Sequence, residues 1–308
     1  MIGNTPMIKI KYKYNNKINE VYTKLEYYNY SGSIKDRIVK YIIEKNNLPK
    51  GSTVCEATSG NTGIALAALG AKYGLKVVIF IPKSASIERI NLMRLYGATV
   101  IITESFDEAI KGAYNYSVEN NCFLCDQFNN KLNLEAHYNT TAVEIYNSVN
   151  NIGAFISGVG TGGTLMGISK YLKSKNQNTK CVALEPASMP LISENKIIGP
   201  HKIEGIGDDF VPSLVDRDII DDIILVNDDD AVNMSRLLSK YLGLGVGISS
   251  GANFIASVLT KDKMDENVVT VFADDSKKYL STDLMKDIDT NKEFISNKIE
   301  LIEIKKAD

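Results

Sequence analysis

The sequence is poor in the residues that build disulfide scaffolds and metal sites. It contains no Trp, two His and four Cys among 308 residues. Four cysteines are too few to cross-link a chain of this length into a disulfide-stabilised fold. Cys122 and Cys125 have the spacing C-x-x-C, but no second pair completes a zinc site. We therefore expect no metal site, and interpret the pair as two small apolar side chains on a buried strand.

An excess of charge is also absent, since 35 Lys and Arg oppose 37 Asp and Glu, for a net charge of −2. Nucleic acids and anionic membranes require a basic excess or a basic face, so neither is an expected partner. Long apolar runs are missing too, because the most apolar short segment is residues 77–81 and a bilayer span needs about 20 residues. The N-terminus has no signal-peptide pattern. We expect a cytoplasmic protein.

Short segments rich in β-forming residues alternate with helical patterns along most of the chain. The segments with a strand pattern are residues 53–56, 76–81, 99–103, 154–157, 180–185 and 268–273. This alternation is typical of βαβ units and predicts an α/β protein with mostly parallel sheets flanked by helices. At roughly 100–200 residues per domain, the length predicts two domains. The polar stretch 127–144 is the expected crossover, with a boundary near residue 139.

One arrangement occurs twice: a short apolar strand, a glycine-rich loop and a helical segment, at residues 54–72 and 155–172. Free backbone N–H groups at a helix start bind anions, so each half is predicted to hold one anion site. The second loop, at residues 158–163, also satisfies G-x-G-x-x-G, and Glu185 follows about 20 residues later. That pattern is typical of dinucleotide binding, and an NAD-dependent oxidoreductase is therefore an alternative.

The first loop contains Thr58, Ser59, Asn61 and Thr62 around Gly60. Three hydroxyls and one carboxamide are neutral donors that suit a small carboxylate at a helix start. A simple cluster of helix-capping residues is the alternative, since Ser, Thr and Asn favour such positions. Four such side chains on one loop favour a ligand.

Lys35 follows the turn-forming stretch 31–34 and opens a helical run, with Arg37 beside it. A helix N-terminus and a neighbouring cation disfavour the ammonium form and lower its pKa. The free amine then becomes available for imine chemistry. Most lysines in such positions are simply solvated, so Lys35 alone is only a candidate.

Together these residues resemble the cysteine synthase and cystathionine β-synthase family, which are pyridoxal-phosphate enzymes of fold type II, like the tryptophan synthase β-subunit. The resemblance runs in order from residue 1 to about residue 282. Its motifs are residues 2–6, 32–37, 58–63, 127–128, 160–164, 204–207 and 247–251. It implies a two-domain α/β fold with pyridoxal 5'-phosphate as the cofactor.

The resemblance also implies a role for each matching residue. Lys35 matches the lysine that holds the cofactor as an internal aldimine and moves the Cα proton. Asn61 matches the residue that bonds the cofactor 3'-oxygen, and Ser249 the hydroxyl that faces the pyridine nitrogen. The phosphate loop matches Gly160, Thr161, Gly162, Gly163 and Thr164, and the cradle for the substrate carboxylate matches Thr58, Ser59, Gly60, Thr62 and Gln127.

The family organisation implies a smaller, mobile, carboxylate-binding domain at residues 31–139. The larger domain, which binds the cofactor phosphate, then comprises residues 1–30 and 140–308. The implied partners are small amino-acid substrates and a second copy of the chain in a homodimer.

Asp208 and Asp209 follow Gly205-Ile206-Gly207 and precede Phe210, a pattern that is closer to the cystathionine β-synthase branch. A carboxylate at the mouth of the site repels anionic acceptors and can act as a general base toward water or a thiol. The alternative is that these aspartates cap a turn or pair with a lysine. We list both as candidate catalytic residues beside Lys35.

The expected reaction is β-elimination or β-replacement on L-cysteine, L-serine or O-acetyl-L-serine through α-aminoacrylate, with hydrogen sulfide produced or consumed. With L-cysteine as the donor and water or a thiol as the acceptor, the products are hydrogen sulfide and L-serine or a thioether. O-acetylserine sulfhydrylase and serine-dependent cystathionine β-synthase are the alternatives within the family. The neutral Ser249 favours loss of the β-substituent, because it leaves the pyridine ring a weak electron sink.

Overall fold

The computed structural model describes residues 1–288 and 293–307. Two sheets and the helices that cover them make up this part of the chain. The strands are β1 (Met7–Tyr14), β2 (Lys17–Leu25), β3 (Thr53–Ala57), β4 (Lys76–Pro82), β5 (Thr99–Thr103), β6 (Phe123–Leu124), β7 (Ile152–Gly158), β8 (Lys180–Pro186), β9 (Asp222–Val226), β10 (Asn267–Phe272) and β11 (Glu300–Lys306).

The α-helices alternate with these strands over most of the chain. They are α1 (Lys35–Lys45), α2 (Asn61–Tyr73), α3 (Ile87–Leu95), α4 (Phe106–Glu119), α5 (Lys131–Ala136), α6 (Ala142–Ser148), α7 (Gly163–Lys175), α8 (Leu191–Glu194), α9 (Asp228–Leu242) and α10 (Ile248–Lys261). A π-helical turn, His137–Thr141, joins α5 to α6. None of the described helices is long and apolar enough to cross a bilayer.

The smaller sheet has the strand order β5-β4-β3-β6 and is parallel throughout. Its strands β3 and β4 are buried on both faces, as expected for a parallel sheet that helices cover on both sides. One face packs on α1 and α2 through side chains such as Ile38 and Leu66, and the other packs on α4 through Ala109 and Ala113. The sheet is therefore a buried layer between two layers of helix.

The larger sheet has the order β11-β1-β2-β10-β7-β8-β9. From β2 to β9 its neighbouring strands are parallel, while β11, β1 and β2 form an antiparallel edge. Helices α9 and α10 cover one face of this sheet, and α6 and α7 cover the other. The predicted α/β class with two mostly parallel sheets is confirmed.

All six strands expected from the sequence are present, and their ends agree to within two residues. The antiparallel strands β1, β2 and β11 and the strand β9 were not predicted. The strands of the smaller sheet all lie between residues 31 and 139, and those of the larger sheet lie outside that range. The domain division itself stays a prediction, and its range 140–308 includes residues 289–292 and 308, which are outside the described residues.

A buried ionic cluster ties the N-terminal segment to α1 and α6. The Arg37 guanidinium donates to both carboxylate oxygens of Glu26, at 2.6 and 2.8 Å, and to both oxygens of Glu144, at 2.8 and 2.7 Å. Lys24 lies 2.8 Å from the same Glu144 carboxylate. Arg37, Glu26 and Lys24 are almost fully buried. Because α1 begins at Lys35, this cluster fixes the helix that carries the candidate catalytic amine.

Replacing Arg37 with Met is expected to lower the free energy of unfolding by about 3–5 kcal/mol, because it leaves the Glu26 carboxylate buried without its partner. Urea unfolding followed by circular dichroism measures this loss. The matched control is Lys83→Met, which removes an exposed pair with Glu104 and is expected to cost about 1 kcal/mol or less. Equal losses for the two variants would contradict a special role for the buried cluster.

Candidate active site

A cavity lies between the two sheets, where the loops that follow β3 and β7 meet the starts of α1 and α10. These positions are the carboxyl ends of parallel strands, where α/β proteins bind their ligands. The structure brings most of the predicted site residues to this one cavity: Lys35, Thr58, Ser59, Gly60, Asn61, Thr62, Gln127, Gly160, Thr161, Gly162, Thr164, Asp208 and Ser249. Gly163 starts α7 directly behind it, and Asp209 lines only the outer mouth.

Lys35 is the first residue of α1 and faces the cavity. Its backbone is anchored from both sides, because Ile34 N–H donates to the carbonyl of Ala273 at 2.9 Å and Lys35 N–H donates to Ser33 Oγ at 3.3 Å. Burial lowers the pKa of the Lys35 amine, against the opposing charges of Asp208 and Asp274. A lowered pKa increases the fraction of neutral, nucleophilic amine at neutral pH.

The loop from Gly160 to Thr164 connects β7 to α7 and leaves the first N–H groups of that helix facing the cavity. Gly162 has φ +84°, a left-handed conformation that favours glycine. A Cβ on Gly160 would lie 2.5 Å from the carbonyl oxygen of Gly205, so this position has no room for a side chain. The arrangement suits a phosphate bound by backbone donors.

Two further side chains brace this loop. Asn133 donates to the carbonyl of Gln127 and to Thr161 Oγ1, both at 2.9 Å, and so links the phosphate loop to the carboxylate cradle. His137 is fully buried, and its Nε2 lies 3.2 Å from Thr164 Oγ1. Burial holds the pKa of His137 well below its ordinary value, helped by the charges of Lys35 and Arg37, so the ring is neutral. The sequence patterns indicated no contact for this histidine.

The predicted carboxylate cradle is built from β3, the start of α2 and the segment after β6. Thr62 Oγ1 donates to Gln127 Oε1 at 2.6 Å, and Gln127 Nε2 donates to the carbonyl of Ala57 at 3.1 Å. Glu56 accepts from the backbone N–H groups of Ala57 and Gln127 at 2.8 and 3.2 Å. Burial raises the pKa of Glu56 to about 8. These bonds hold the hydroxyl and amide groups of the cradle in one fixed arrangement.

Asn61 makes contacts that the sequence did not predict. Its Nδ2 donates to Asp274 Oδ2 at 2.8 Å, and its Oδ1 accepts from the buried Lys278 Nζ at 3.0 Å. Lys278 also donates to the carbonyl of Gly32 at 2.8 Å, close to the turn before Lys35. A polar cluster on the larger sheet thus orients the side chain that is the candidate for the 3'-oxygen contact.

Ser249 lies in the first turn of α10 and lines the cavity with Asn253, one helical turn later. Asn253 Oδ1 accepts from Gly158 N–H at 2.8 Å, and its Nδ2 donates to the carbonyl of Val271 at 2.8 Å. These two bonds fix α10 against β7 and β10. The helix therefore presents a neutral hydroxyl at a defined place in the cavity.

The structure separates the two candidate aspartates. Asp208 is half-buried and lines the cavity that holds Lys35, whereas Asp209 is exposed and lines the mouth. Burial raises the pKa of Asp208 to about 6, assisted by the charge of Asp209 and opposed by Lys35 and His201. A carboxyl group with this pKa is largely ionised at neutral pH and can still be reprotonated.

Arg89 and Glu204 form an ion pair at the cavity wall, although no sequence pattern indicated a role for either side chain there. The Arg89 guanidinium lies 4.6 Å from the ring centroid of Tyr279, and its side chain packs against Gly60, where a Cβ would lie 2.7 Å from Arg89 Cδ. Ser86 and Glu88 before it are typical of an ordinary helix start. No local signal therefore separates Arg89 from a surface arginine.

The residues present fit pyridoxal phosphate. The predicted phosphate loop has backbone donors and no space for a side chain at Gly160, a lysine amine with a lowered pKa faces the same cavity, and a neutral hydroxyl stands at the start of α10. The dinucleotide alternative does not fit, because Glu185 accepts from Ile192 and Ser193 N–H at 2.6 and 2.9 Å. That carboxylate caps α8 and is not free to bond a ribose.

Gly160→Ala is expected to weaken pyridoxal phosphate binding, because the added Cβ must displace the backbone at Gly205. Overpacking of this kind costs about 1–3 kcal/mol, which is roughly 5- to 150-fold in the dissociation constant. Titration of the apo-protein with the cofactor measures the change. Gly199→Ala is the matched control, since nothing lies within 4 Å of its Cβ position. Equal affinities of the two variants for pyridoxal phosphate would contradict the assignment of this loop to the phosphate site.

Comparison with known proteins agrees with this geometry. The family described as "Pyridoxal-phosphate dependent enzyme" matches residues 1–274. Cysteine synthase B of Campylobacter jejuni is 41% identical over 295 residues, which cover 92% of this chain and 96% of that protein. A cystathionine β-synthase from Helicobacter pylori, described as O-acetylserine dependent, is 34% identical with a TM-score of 0.84, and the match covers 92% of this chain and 97% of that one.

A hydrogen sulfide-producing enzyme from Fusobacterium nucleatum is similar over almost the whole length. Its crystal structure has a TM-score of 0.94 at 42% identity, and the match covers 99% of this chain and 96% of that one. An aspartate-to-asparagine variant of that enzyme is known in complex with an α-aminoacrylate intermediate. The family match over most of the chain, the relatives and the fitted cavity lead to one conclusion: the chain belongs to the pyridoxal-phosphate-dependent enzyme family, and pyridoxal phosphate is its cofactor.

Proposed function

We propose that the protein catalyses β-elimination and β-replacement on L-cysteine, with water or a small thiol as the acceptor and hydrogen sulfide as a product. The observation that carries this proposal is the Asp208 carboxyl group in the same cavity as the Lys35 amine. Such a group can take a proton from water or a neutral thiol and can return one to a departing thiolate. L-serine and O-acetyl-L-serine are further donors for the same chemistry.

The charges at the mouth support a neutral acceptor. Asp208, Asp209 and Asp283 line the mouth, whereas the nearby cations are already paired, Arg89 with Glu204 and Lys202 with Asp229. Two like charges about 4 Å apart repel by roughly 4 kcal/mol near a protein surface. A hydrosulfide ion or the carboxylate of a second amino acid is therefore disfavoured, and water or an uncharged thiol is not.

Each group of the chain then has a defined task. Pyridoxal phosphate, when bound, provides the electron sink that makes the Cα proton of an amino acid removable. The Lys35 amine holds the cofactor and accepts the Cα proton. Thr58, Thr62 and Gln127 hold the substrate carboxylate, and Ser59 lies exposed at the entrance of that loop. The Asp208 carboxylate orients the acceptor and receives its proton.

Incubation of the holoenzyme with L-cysteine as the single substrate tests the proposal. We expect hydrogen sulfide, measured by methylene blue formation, to form at the combined rate of L-serine from replacement by water and pyruvate from elimination, with L-serine measured by amino-acid chromatography. Addition of a neutral thiol should replace L-serine with the thioether. Absence of sulfide, together with fast turnover of O-acetyl-L-serine plus sulfide, would contradict the proposal.

Cysteine synthesis from O-acetyl-L-serine is the second candidate, because the curated relatives at 41% identity are cysteine synthases. Serine-dependent cystathionine synthesis is the third. A panel that pairs each donor with sulfide, homocysteine and water ranks the three reactions by kcat/KM. The acidic mouth predicts that water and neutral thiols gain relative to sulfide as the ionic strength falls, because charge repulsion is then less screened.

We propose further, from the family resemblance, that the protein is a cytoplasmic homodimer and that residues 31–139 move as one unit over the substrate. The contacts of Arg89 with Glu204 and of Asn61 with Asp274 join the two sheets and would have to persist or rearrange during such a movement. Sedimentation velocity, cell fractionation and small-angle scattering with and without substrate test these three statements.

A further inference from the structure

Two thiols that the catalytic machinery does not use lie side by side beneath the carboxylate cradle. Cys122 Sγ and Cys55 Sγ are 3.3 Å apart, although 67 residues separate them in sequence. Cys55 is fully buried in β3, and Cys122 is half-buried just before β6. Both side chains face α4, where Cys55 Sγ lies 3.6 Å from the carbonyl of Ala113.

The C-x-x-C spacing brings Cys122 and Cys125 close in sequence, but the two side chains do not share a face. Strand β6 lies between Cys122 and Cys125, and successive side chains of extended chain alternate between faces. Cys125 therefore packs on the opposite face, in the core beneath α1 and α2. The tertiary structure replaces the apparent Cys122–Cys125 pair with Cys55–Cys122.

We propose that Cys55 and Cys122 are a reversible dithiol–disulfide site, oxidised by low-molecular-weight disulfides such as cystine, and that the bond weakens the binding of the amino-acid substrate. A disulfide needs an S–S distance of about 2.05 Å, so the two sulfurs must approach by about 1.2 Å. The second half of the proposal rests on the proposed function, because it assumes that the cradle holds a substrate carboxylate.

Cystine is the oxidant in the proposed thiol–disulfide exchange. The Cys122 thiolate, which is the more accessible of the two, attacks one sulfur of cystine, forms a mixed disulfide and releases one cysteine. The Cys55 thiol then attacks the Cys122 sulfur, and its proton goes to the thiolate of the second cysteine that leaves. Two protein thiols are oxidised and one cystine is reduced to two cysteines. Burial raises the pKa of Cys55, so the second step is expected to be the slow one.

The position of the pair couples it to the substrate cradle. Cys55 is three residues before Thr58, and Cys122 is five residues before Gln127. Strands β3 and β6 pair directly, and Gln127 bonds to both Ala57 and Glu56 in the segment that follows Cys55. A movement of about 1 Å at such a site is large enough to cost on the order of 100-fold in rate. The disulfide therefore acts on the residues that orient the carboxylate.

Cystine treatment of the holoenzyme, followed by tryptic digestion without reductant, tests the site. The expected product joins peptide 51–72, which contains Cys55, to peptide 112–131, which contains Cys122 and Cys125. Because Cys122 and Cys125 share one peptide, variants assign the bond: Cys125→Ala should keep the cross-link and Cys122→Ser should lose it. A cross-link that survives in Cys122→Ser, or its absence from the wild-type protein, would overturn the proposal.

Substrate binding is measured with L-serine, which has no thiol and cannot reduce the bond. Spectral titration of the bound cofactor should show a dissociation constant about tenfold or more higher after oxidation, restored by a phosphine reductant. An unchanged constant in the cross-linked protein would overturn the coupling to the cradle. If L-serine and O-acetyl-L-serine leave the spectrum of the reduced enzyme unchanged, the proposed function fails, while the peptide result still decides the disulfide.

Discussion

Lys35→Ala is expected to lower turnover by about 10³-fold or more, because it removes both the covalent attachment of the cofactor and the base for the Cα proton. Lys35 is the first residue of α1, its amine faces the cavity, and burial lowers the pKa of that amine. Borohydride reduction of the holoenzyme should attach the cofactor to the peptide that contains Lys35 in the wild-type protein and to no peptide in the variant. This mass measurement does not depend on activity.

Lys131→Ala is the matched control for this variant. Lys131 is also the first residue of a helix, α5, but its side chain is exposed and does not line the cavity. We expect unchanged turnover and an unchanged cofactor adduct. Retention of the adduct in Lys35→Ala would show that another amine holds the cofactor, and the buried Lys278 would then be the next candidate.

Asp208→Asn is expected to lower the rate with water as the acceptor by about 10²–10⁴-fold, which is the usual contribution of a general base. The wild-type profile should also depend on this group. Since the pKa of Asp208 is about 6, its carboxylate fraction falls as the pH drops below 6. A rate that needs the carboxylate therefore decreases by about tenfold per pH unit on the acid side and is constant above it.

The decrease in rate below pH 6, which we call the acid limb, should disappear in Asp208→Asn and remain in Asp209→Asn. The reason is that Asp209 is exposed at the mouth and does not line the cavity. Cofactor absorbance should be retained in both variants, which separates loss of chemistry from loss of binding. A profile that keeps its limb near pH 6 in Asp208→Asn would assign the base to another residue. Loss of the acid limb in Asp209→Asn alone would assign the general base to Asp209 instead of Asp208.

The positions of the helices and parallel strands could be predicted because their signals are local. A buried parallel strand appears as a short apolar run, and a glycine-rich loop with Thr or Ser marks the following helix start, as at β3 and β7. The antiparallel strands escaped prediction for a different reason. In β1 and β11, charged residues alternate with apolar ones, which is a local strand signal that the prediction did not use; only the pairing of these strands, almost 300 residues apart, has no local mark.

The contacts that position the site residues could not be predicted, because they join distant segments. Arg89 becomes a buried cavity-wall residue only when Glu204 and Tyr279 are brought to α3. The contacts of His137 with Thr164 and of Asn61 with Asp274 join residues that are distant in sequence and belong to no common motif. Asp208 and Asp209 likewise differ in burial, and the sequence of two adjacent aspartates cannot indicate which of them is buried.

The sequence by itself determined the α/β class, the two glycine-rich loops and the candidate amine, because each depends on local patterns along the chain. Tertiary structure alone decided which side chains share an environment: Asp208 lines the cavity that holds the Lys35 amine and Asp209 lines only the mouth, and Cys55 rather than Cys125 lies beside Cys122. The physical reason is that pKa, charge pairing and thiol proximity depend on distance and burial in space. Those quantities exist only after the two sheets have folded and their loops have met.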